Sequence, residues 1–234
     1  MTKHSSAHAS VGRRRFLEMA VVGAAAASVR PPEAWLPTAR SPRAASRISP
    51  DTALEELLAG NRRFAANQLT SIEHDLTILK DRTAEKQEPF AAVLACADSR
   101  VPVELVFDQT IGHIFVARVA GNIVTPEIIA SLEYSVAVLG IRALLVLGHT
   151  NCGAVKAAMK ADSVPGQISS LYPHIRPAVD QSAGNVDRAI ELNARYQAEL
   201  LKSSSTVVRQ AATAGTLKVA AGVYDLASGK VTVS

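Results

Sequence analysis

Hydrophobic positions change their spacing along the chain, and the changes mark its elements. From Asp51 the residues Leu54, Leu57, Leu58 and Phe64 recur at helical spacing, with Ser49 or Asp51 available as N-cap. A second helix is predicted over about 71–86. The period then gives way to short apolar runs at 91–96, 114–119 and 143–147, the second interrupted by Arg118. Such runs suit strands covered on both faces. Residues 127–139 between two of them read as a helix stopped by Gly140. Another helix is expected from after His149 to about Ala161, and polar helices over roughly 166–177 and 183–214. Residues 217–223 read as a fourth strand. Ser228-Gly229 reads as a turn, and 230–233 as a short edge strand pairing back.

Strands alternating with helices imply an α/β domain. The expected fold is a mainly parallel central sheet of four strands plus a short edge strand, flanked by helices, with an N-terminal helical arm. Ligand sites in such sheets lie at the carboxyl ends of the strands. Cys96, His149 and Cys152 fall at or just past such ends.

Charge separates the first residues from the rest. Residues 1–47 hold eight of the 25 Lys/Arg and two of the 21 Asp/Glu. The remainder carries 17 basic and 19 acidic residues, a net of −2, despite the +4 of the whole chain. A nucleic-acid footprint is therefore not expected on the folded part. The basic segment contains Arg13-Arg14-Arg15-Phe16-Leu17, followed by an apolar stretch at 19–29. Eleven residues make a helix of about 16 Å, too short for a hydrocarbon core of about 30 Å. This order of a basic region, a short apolar region and small residues describes a signal peptide. Its paired arginines resemble the twin-arginine type. Gly12 and Glu18 depart from that pattern. Residues 30–50 hold five prolines and read as a linker. The expected division is 1–47 as signal peptide and linker and 48–234 as the domain, in an exported, periplasmic or extracellular protein. No later run is long enough to span a membrane.

Two segments carry candidate chemistry: Cys96-Ala97-Asp98-Ser99-Arg100 and Gly148-His149-Thr150-Asn151-Cys152-Gly153. Two cysteines in an exported protein suggest a disulfide at first sight. Two thiolates and an imidazole also form a natural zinc set, which in a catalytic site leaves one position open. A disulfide would leave His149, Asp98 and Arg100 unexplained. A structural zinc would want a fourth protein ligand.

These segments resemble the β-class carbonic anhydrases, which share Cys-x-Asp-x-Arg and a later His-x-x-Cys. The similarity runs through about 52–234. It takes in Gly60-Asn61-Arg62-Arg63-Phe64, Arg118-Val119-Ala120-Gly121-Asn122 and Ser131-Leu132-Glu133-Tyr134. The resemblance implies zinc held by Cys96, His149 and Cys152, and a paired Asp98–Arg100 dyad beside it. It also implies reversible hydration of CO2 to bicarbonate by a zinc-held hydroxide. Gln87, nine residues before Cys96, matches the family's substrate-binding glutamine. Gly153 would offer its backbone N–H at a helix start. Some family members close the site with the aspartate and gate it with bicarbonate, using a tryptophan three residues before the first cysteine. Val93 stands there in this chain, so an open site is expected. The family usually has an acid after Gly112, where this chain has His113. A dimer or tetramer is implied. A related zinc hydrolase acting on carbonyl sulfide or carbon disulfide, and a non-catalytic exported zinc module, are the alternatives.

Overall fold

The computed structural model describes residues 48–71 and 83–234. The signal peptide and linker expected over 1–47, and most of the helix expected over 71–86, lie outside the described residues.

Helix α1 (Pro50–Ala65) begins at Ser49, whose Oγ accepts the Thr52 N–H at 3.1 Å, and Pro50 follows at the first helical position. Its stripe of Ala53, Leu54, Leu57, Gly60 and Asn61 is buried. Gly60 permits the close approach of α1: a Cβ there would stand 1.8 Å from the Phe107 carbonyl oxygen. The stripe ends on a polar clamp. Asn61 Nδ2 donates to the carbonyls of Val106 (3.1 Å) and Gly229 (2.9 Å), and its Oδ1 accepts the Val231 N–H (2.8 Å).

Five strands follow: β1 (Ala91–Ala95), β2 (Ile114–Arg118), β3 (Ala143–His149), β4 (Lys218–Tyr224) and β5 (Val231–Val233). They form one sheet in the order β2-β1-β3-β4-β5, with β5 alone antiparallel. β1 and β3 are buried at every residue, which explains their unbroken apolar sequences. Alternate residues feed opposite faces. Val93, Ala95, Leu145 and Leu147 pack with α1 and the short α2 (Val103–Val106). Leu94, Leu144 and Val146 pack on the other face with α3 (Pro126–Ala137), α6 (Val186–Ser204) and α7 (Thr206–Thr213).

A third cluster lies beyond the carboxyl ends of the strands, where α4 (Gly153–Lys160), α5 (Tyr172–Asp180) and α6 surround Cys96 and Cys152. The chain passes from β1 to β2 on one side and to β3 on the other, so the carboxyl ends of β1 and β3 flank the point where the strand order reverses.

Two helical expectations are corrected in detail. The single helix read over 183–214 is two, α6 and α7. Ser205 breaks it by taking an extended conformation (φ −104°, ψ 118°). Its Oγ caps α7 by accepting the Val208 N–H at 3.0 Å and also bonds Glu133 at 2.6 Å. The helix read over 166–177 is a 3-10 turn (Ile168–Leu171) leading into α5, which runs on to Asp180 despite Pro177. No helix among the described residues is long and apolar enough to cross a membrane.

Candidate metal centre

β1 delivers Cys96 directly past its last residue, and β3 ends on His149. The turn after His149 needs a left-handed residue, supplied by Asn151 (φ 59°), and Cys152 then caps α4. The turn is pinned to β4, with the Thr150 N–H on the Tyr224 carbonyl (2.9 Å). Sequence-distant elements thus converge, and one ligand atom from each of Cys96, His149 and Cys152 lies within 4.8 Å of the others. All three are buried, and both cysteines are free thiols.

The ring of His149 is oriented for ligation. Nδ1 lies 3.0 Å from the Thr150 carbonyl, which can only accept, so Nδ1 carries the proton and Nε2 presents a lone pair. Nε2 is buried and has no hydrogen-bond partner. A fully buried imidazole nitrogen with no partner is costly unless a ligand completes it. The Cys96 sulfur accepts the Gly121 N–H at 3.3 Å, and Gly121 has φ 77°. The backbone N–H groups of Val155 and Ala154 at the start of α4 act on Cys152 to lower its pKa. These donors favour thiolates. Without a metal the two sulfurs share one proton. The Cys96 thiol is pushed down to about 4, chiefly by the hydrogen bond from Cys152 and further by His149 and Gly121, against burial. Cys152 is pushed up as the donor in that bond and by burial. Two sulfurs and an imidazole nitrogen with its lone pair free are a donor set that fits zinc.

Asp98 and Arg100 stand beside the cluster. Arg100 Nε and backbone N–H donate to Asp98 Oδ1 (2.9 and 3.0 Å), and Nη2 donates to Oδ2 (2.8 Å). Oδ2 also lies 3.8 Å from His149 Nε2. The Arg100 hydrogen bond holds the Asp98 carboxyl well below the usual range, so it is a carboxylate.

The chain matches the carbonic anhydrase family over residues 91–231. This chain belongs to the β-class carbonic anhydrase family. It is 35% identical over 192 residues to a carbonic anhydrase of Mycolicibacterium smegmatis, covering 78% of this chain and 92% of that one. It is 31% identical over 194 residues to carbonic anhydrase 2 of Mycobacterium tuberculosis, covering 78% and 91%. The solved structure of the Coccomyxa β-carbonic anhydrase in complex with acetazolamide is similar at a TM-score of 0.59 with 31% identity, over 76% of this chain and 85% of that one. β-Carbonic anhydrases use zinc, and the cluster of Cys96, His149 and Cys152 is where this carbonic anhydrase can hold it.

Gly153 and Gln87, also singled out in the sequence, lie at a helix start and before a strand. Gly153 opens α4 next to Cys152 and lines a cleft of about 620 Å³ with Lys156, Lys160 and Tyr172. Gln87 is exposed in the segment before β1. The five steps from Ala91 to Cys96 put about 16 Å between them at ~3.3 Å per residue. Gln87 thus precedes β1 in the chain, whereas Cys96 follows it. His113 likewise precedes β2, at the amino-terminal end of the sheet.

Other residues had no assigned role in the sequence. Arg118 ends β2 and bonds the carbonyls of Cys96 and Asp98 at 2.9 and 2.6 Å. Asn193 and Gln197 on α6 are buried and hold the turn that carries Gly121. Asn193 Nδ2 donates to the Gly121 carbonyl (2.9 Å), and Gln197 Oε1 accepts the Val124 N–H (2.8 Å). The Arg118-to-Asn122 segment was a signal for the first group. Asn193 and Gln197 lie in a stretch that reads as simply polar.

Proposed function

We propose that this enzyme hydrates CO2 reversibly to bicarbonate and a proton, with Asp98 and Arg100 acting beside a zinc held by Cys96, His149 and Cys152. The observation that carries this reading is the buried, partnerless Nε2 of His149 grouped with two free sulfurs. Zinc bound there would supply the Lewis acidity that makes water acidic enough to react near neutral pH.

The chain's own groups do the rest. Asp98 Oδ2 lies toward His149 and is the oxygen left with capacity to accept an O–H from the attacking water. That hydrogen bond turns the water's lone pair toward the carbon of CO2. Arg100 keeps the carboxylate ionised and fixes its plane. The Gly153 N–H, at the positive end of α4, favours the oxygen on which charge develops.

Gln87 would donate its amide N–H to a substrate oxygen in a second copy's site, since its own chain's centre lies at the other end of β1. This requires self-association. Two similar β-carbonic anhydrases of Sordaria macrospora are described as tetrameric. The Arg13-Arg14-Arg15-Phe16-Leu17 leader supports export. Zinc bound before export would keep both thiolates from forming a disulfide.

Stopped-flow CO2 hydration by protein of measured zinc content tests the reading. Activity in proportion to zinc is expected, with loss of both zinc and activity in Cys96→Ser. Stoichiometric zinc with no CO2 hydration, or hydrolysis of carbonyl sulfide in its place, overturns it.

A further inference from the structure

The loop from Cys96 to Arg100 carries both a metal ligand and the carboxylate beside it, so its position decides what the carboxylate does. Asp98 Oδ2 stands 3.8 Å from His149 Nε2. Two donors sharing one tetrahedral zinc at its usual bond lengths stand about 3.3 Å apart. A shift of about half an ångström would thus let the carboxylate take the fourth position itself. An anionic oxygen this near a dication goes there unless something holds it back.

Arg100 holds the carboxylate but cannot anchor the loop. It lies two residues further along the same loop, its side chain is about half exposed (47%), and its one contact outside the loop is a long 3.5 Å bond to the Asn151 carbonyl. An anchor has to come from a fixed element. β2 is such an element: Arg118 is paired with Ala95 in the parallel ladder, and the Val119 N–H extends that ladder to the Ala95 carbonyl at 3.1 Å. From there Arg118 Nε donates to the Cys96 carbonyl (2.9 Å) and Nη2 to the Asp98 carbonyl (2.6 Å). One planar guanidinium thus spans the carbonyls on both sides of Ala97. The fork fixes the spacing between the metal ligand and Asp98, which a single-point donor cannot do.

We propose that Arg118 is a positioning residue that keeps the Asp98 carboxylate off the fourth metal position by holding the carbonyls of Cys96 and Asp98. It touches neither substrate nor ligand atoms. The inference rests on reading Cys96, His149 and Cys152 as a zinc site.

The test replaces zinc with cobalt(II), whose visible absorption reports its donors where zinc is silent, and titrates the full-length protein with azide. Wild type should show a saturable spectral change as azide takes the fourth position. Arg118→Gln should retain full metal content but bind azide roughly tenfold or more weakly, the usual range for an outer partner of a metal site. Arg118→Lys, which keeps the charge and reaches one carbonyl, should fall between. The deciding variant is Arg118→Gln combined with Asp98→Asn. Removing the competing carboxylate should return azide affinity to within roughly twofold of Asp98→Asn alone. General damage to the loop would not be rescued in this way. Unchanged azide affinity in Arg118→Gln, or weakened affinity that Asp98→Asn fails to restore, overturns the proposal while leaving the zinc reading intact. Wild type that takes up no metal overturns both.

Discussion

Arg100 grips Asp98 at three points, with Nε and its own backbone N–H on Oδ1 and Nη2 on Oδ2. The pair is separated by one residue, so the grip costs little chain entropy. It leaves one carboxylate oxygen facing the metal centre.

Breaking this pair should reduce turnover without removing the metal. Asp98→Asn is expected to lower kcat/KM by roughly a hundredfold or more, the scale of a lost proton-handling group. Arg100→Lys keeps the charge but loses the fork, and a smaller loss of roughly tenfold is expected. The double variant should be little worse than Asp98→Asn alone, since the two act as a unit. In Arg100→Gln the Asp98 carboxyl should return toward its ordinary pKa of about 3.9, read as an NMR titration of the carboxyl carbon that wild type does not show in that range. Stopped-flow rates with zinc analysis of each variant check these outcomes.

The position of Gln87 makes a prediction about mixed assemblies. Gln87→Ala and Cys96→Ser should each be inactive or nearly so. Refolded together, they should regain activity. In a two-fold assembly half of the dimers are mixed, and each has one site with every group intact, giving roughly a quarter of wild-type activity. Mixtures no more active than their components would show that Gln87 does not serve a neighbour's site.

Asp108 supplies a pH-dependent part of stability. It is buried at 4% exposure and accepts from Arg63 Nε (2.5 Å), the Thr70 N–H and hydroxyl (2.9 and 2.8 Å) and the Ser71 N–H (2.9 Å). Burial alone would raise its pKa, but Arg63 and the Thr70 and Ser71 donors outweigh it and hold the carboxyl well below the usual range. A carboxyl depressed in the folded state stabilises fully above its unfolded pKa of about 3.9, and that contribution is lost as pH falls below it. Asp108→Asn should cost about 3 kcal/mol at neutral pH, as for a broken buried pair. Its stability should also fall less steeply than wild type in acid. Urea melts at pH 7 and pH 3.5 check both.

Gly60 is a packing constraint rather than a flexible point. An added Cβ would meet the backbone oxygen of Phe107, which cannot swing aside. Gly60→Ala should therefore cost about 3 kcal/mol, at the upper end for overpacking. The loss would be read as a lower urea midpoint with an unchanged slope. A midpoint equal to wild type would mean that α1 lies further from α2 than described.

The residues themselves determined much of this protein. Unbroken apolar runs at β1 and β3 announced strands covered on both faces, because burial on two sides leaves no room for alternation. Cys96, His149 and Cys152 announced a metal set, since few other uses combine two thiols and an imidazole at neighbouring strand ends. Ser205 shows the limit of helical periodicity: the polar and apolar spacing continues through it, and only its hydrogen bonds to Val208 and Glu133 mark the break.

What only the tertiary structure decided was every relation across long sequence separation. Gln87 and Cys96 are neighbours in the sequence but lie at opposite ends of a strand. Arg118 lies 22 residues from Cys96 and Asn193 lies 72 from Gly121, yet each holds the other by a hydrogen bond of 2.9 Å. Periodicity reports only whether a residue faces water or core. It carries no record of which distant partner satisfies a buried polar group, because that depends on how the sheet brings separate strand ends together.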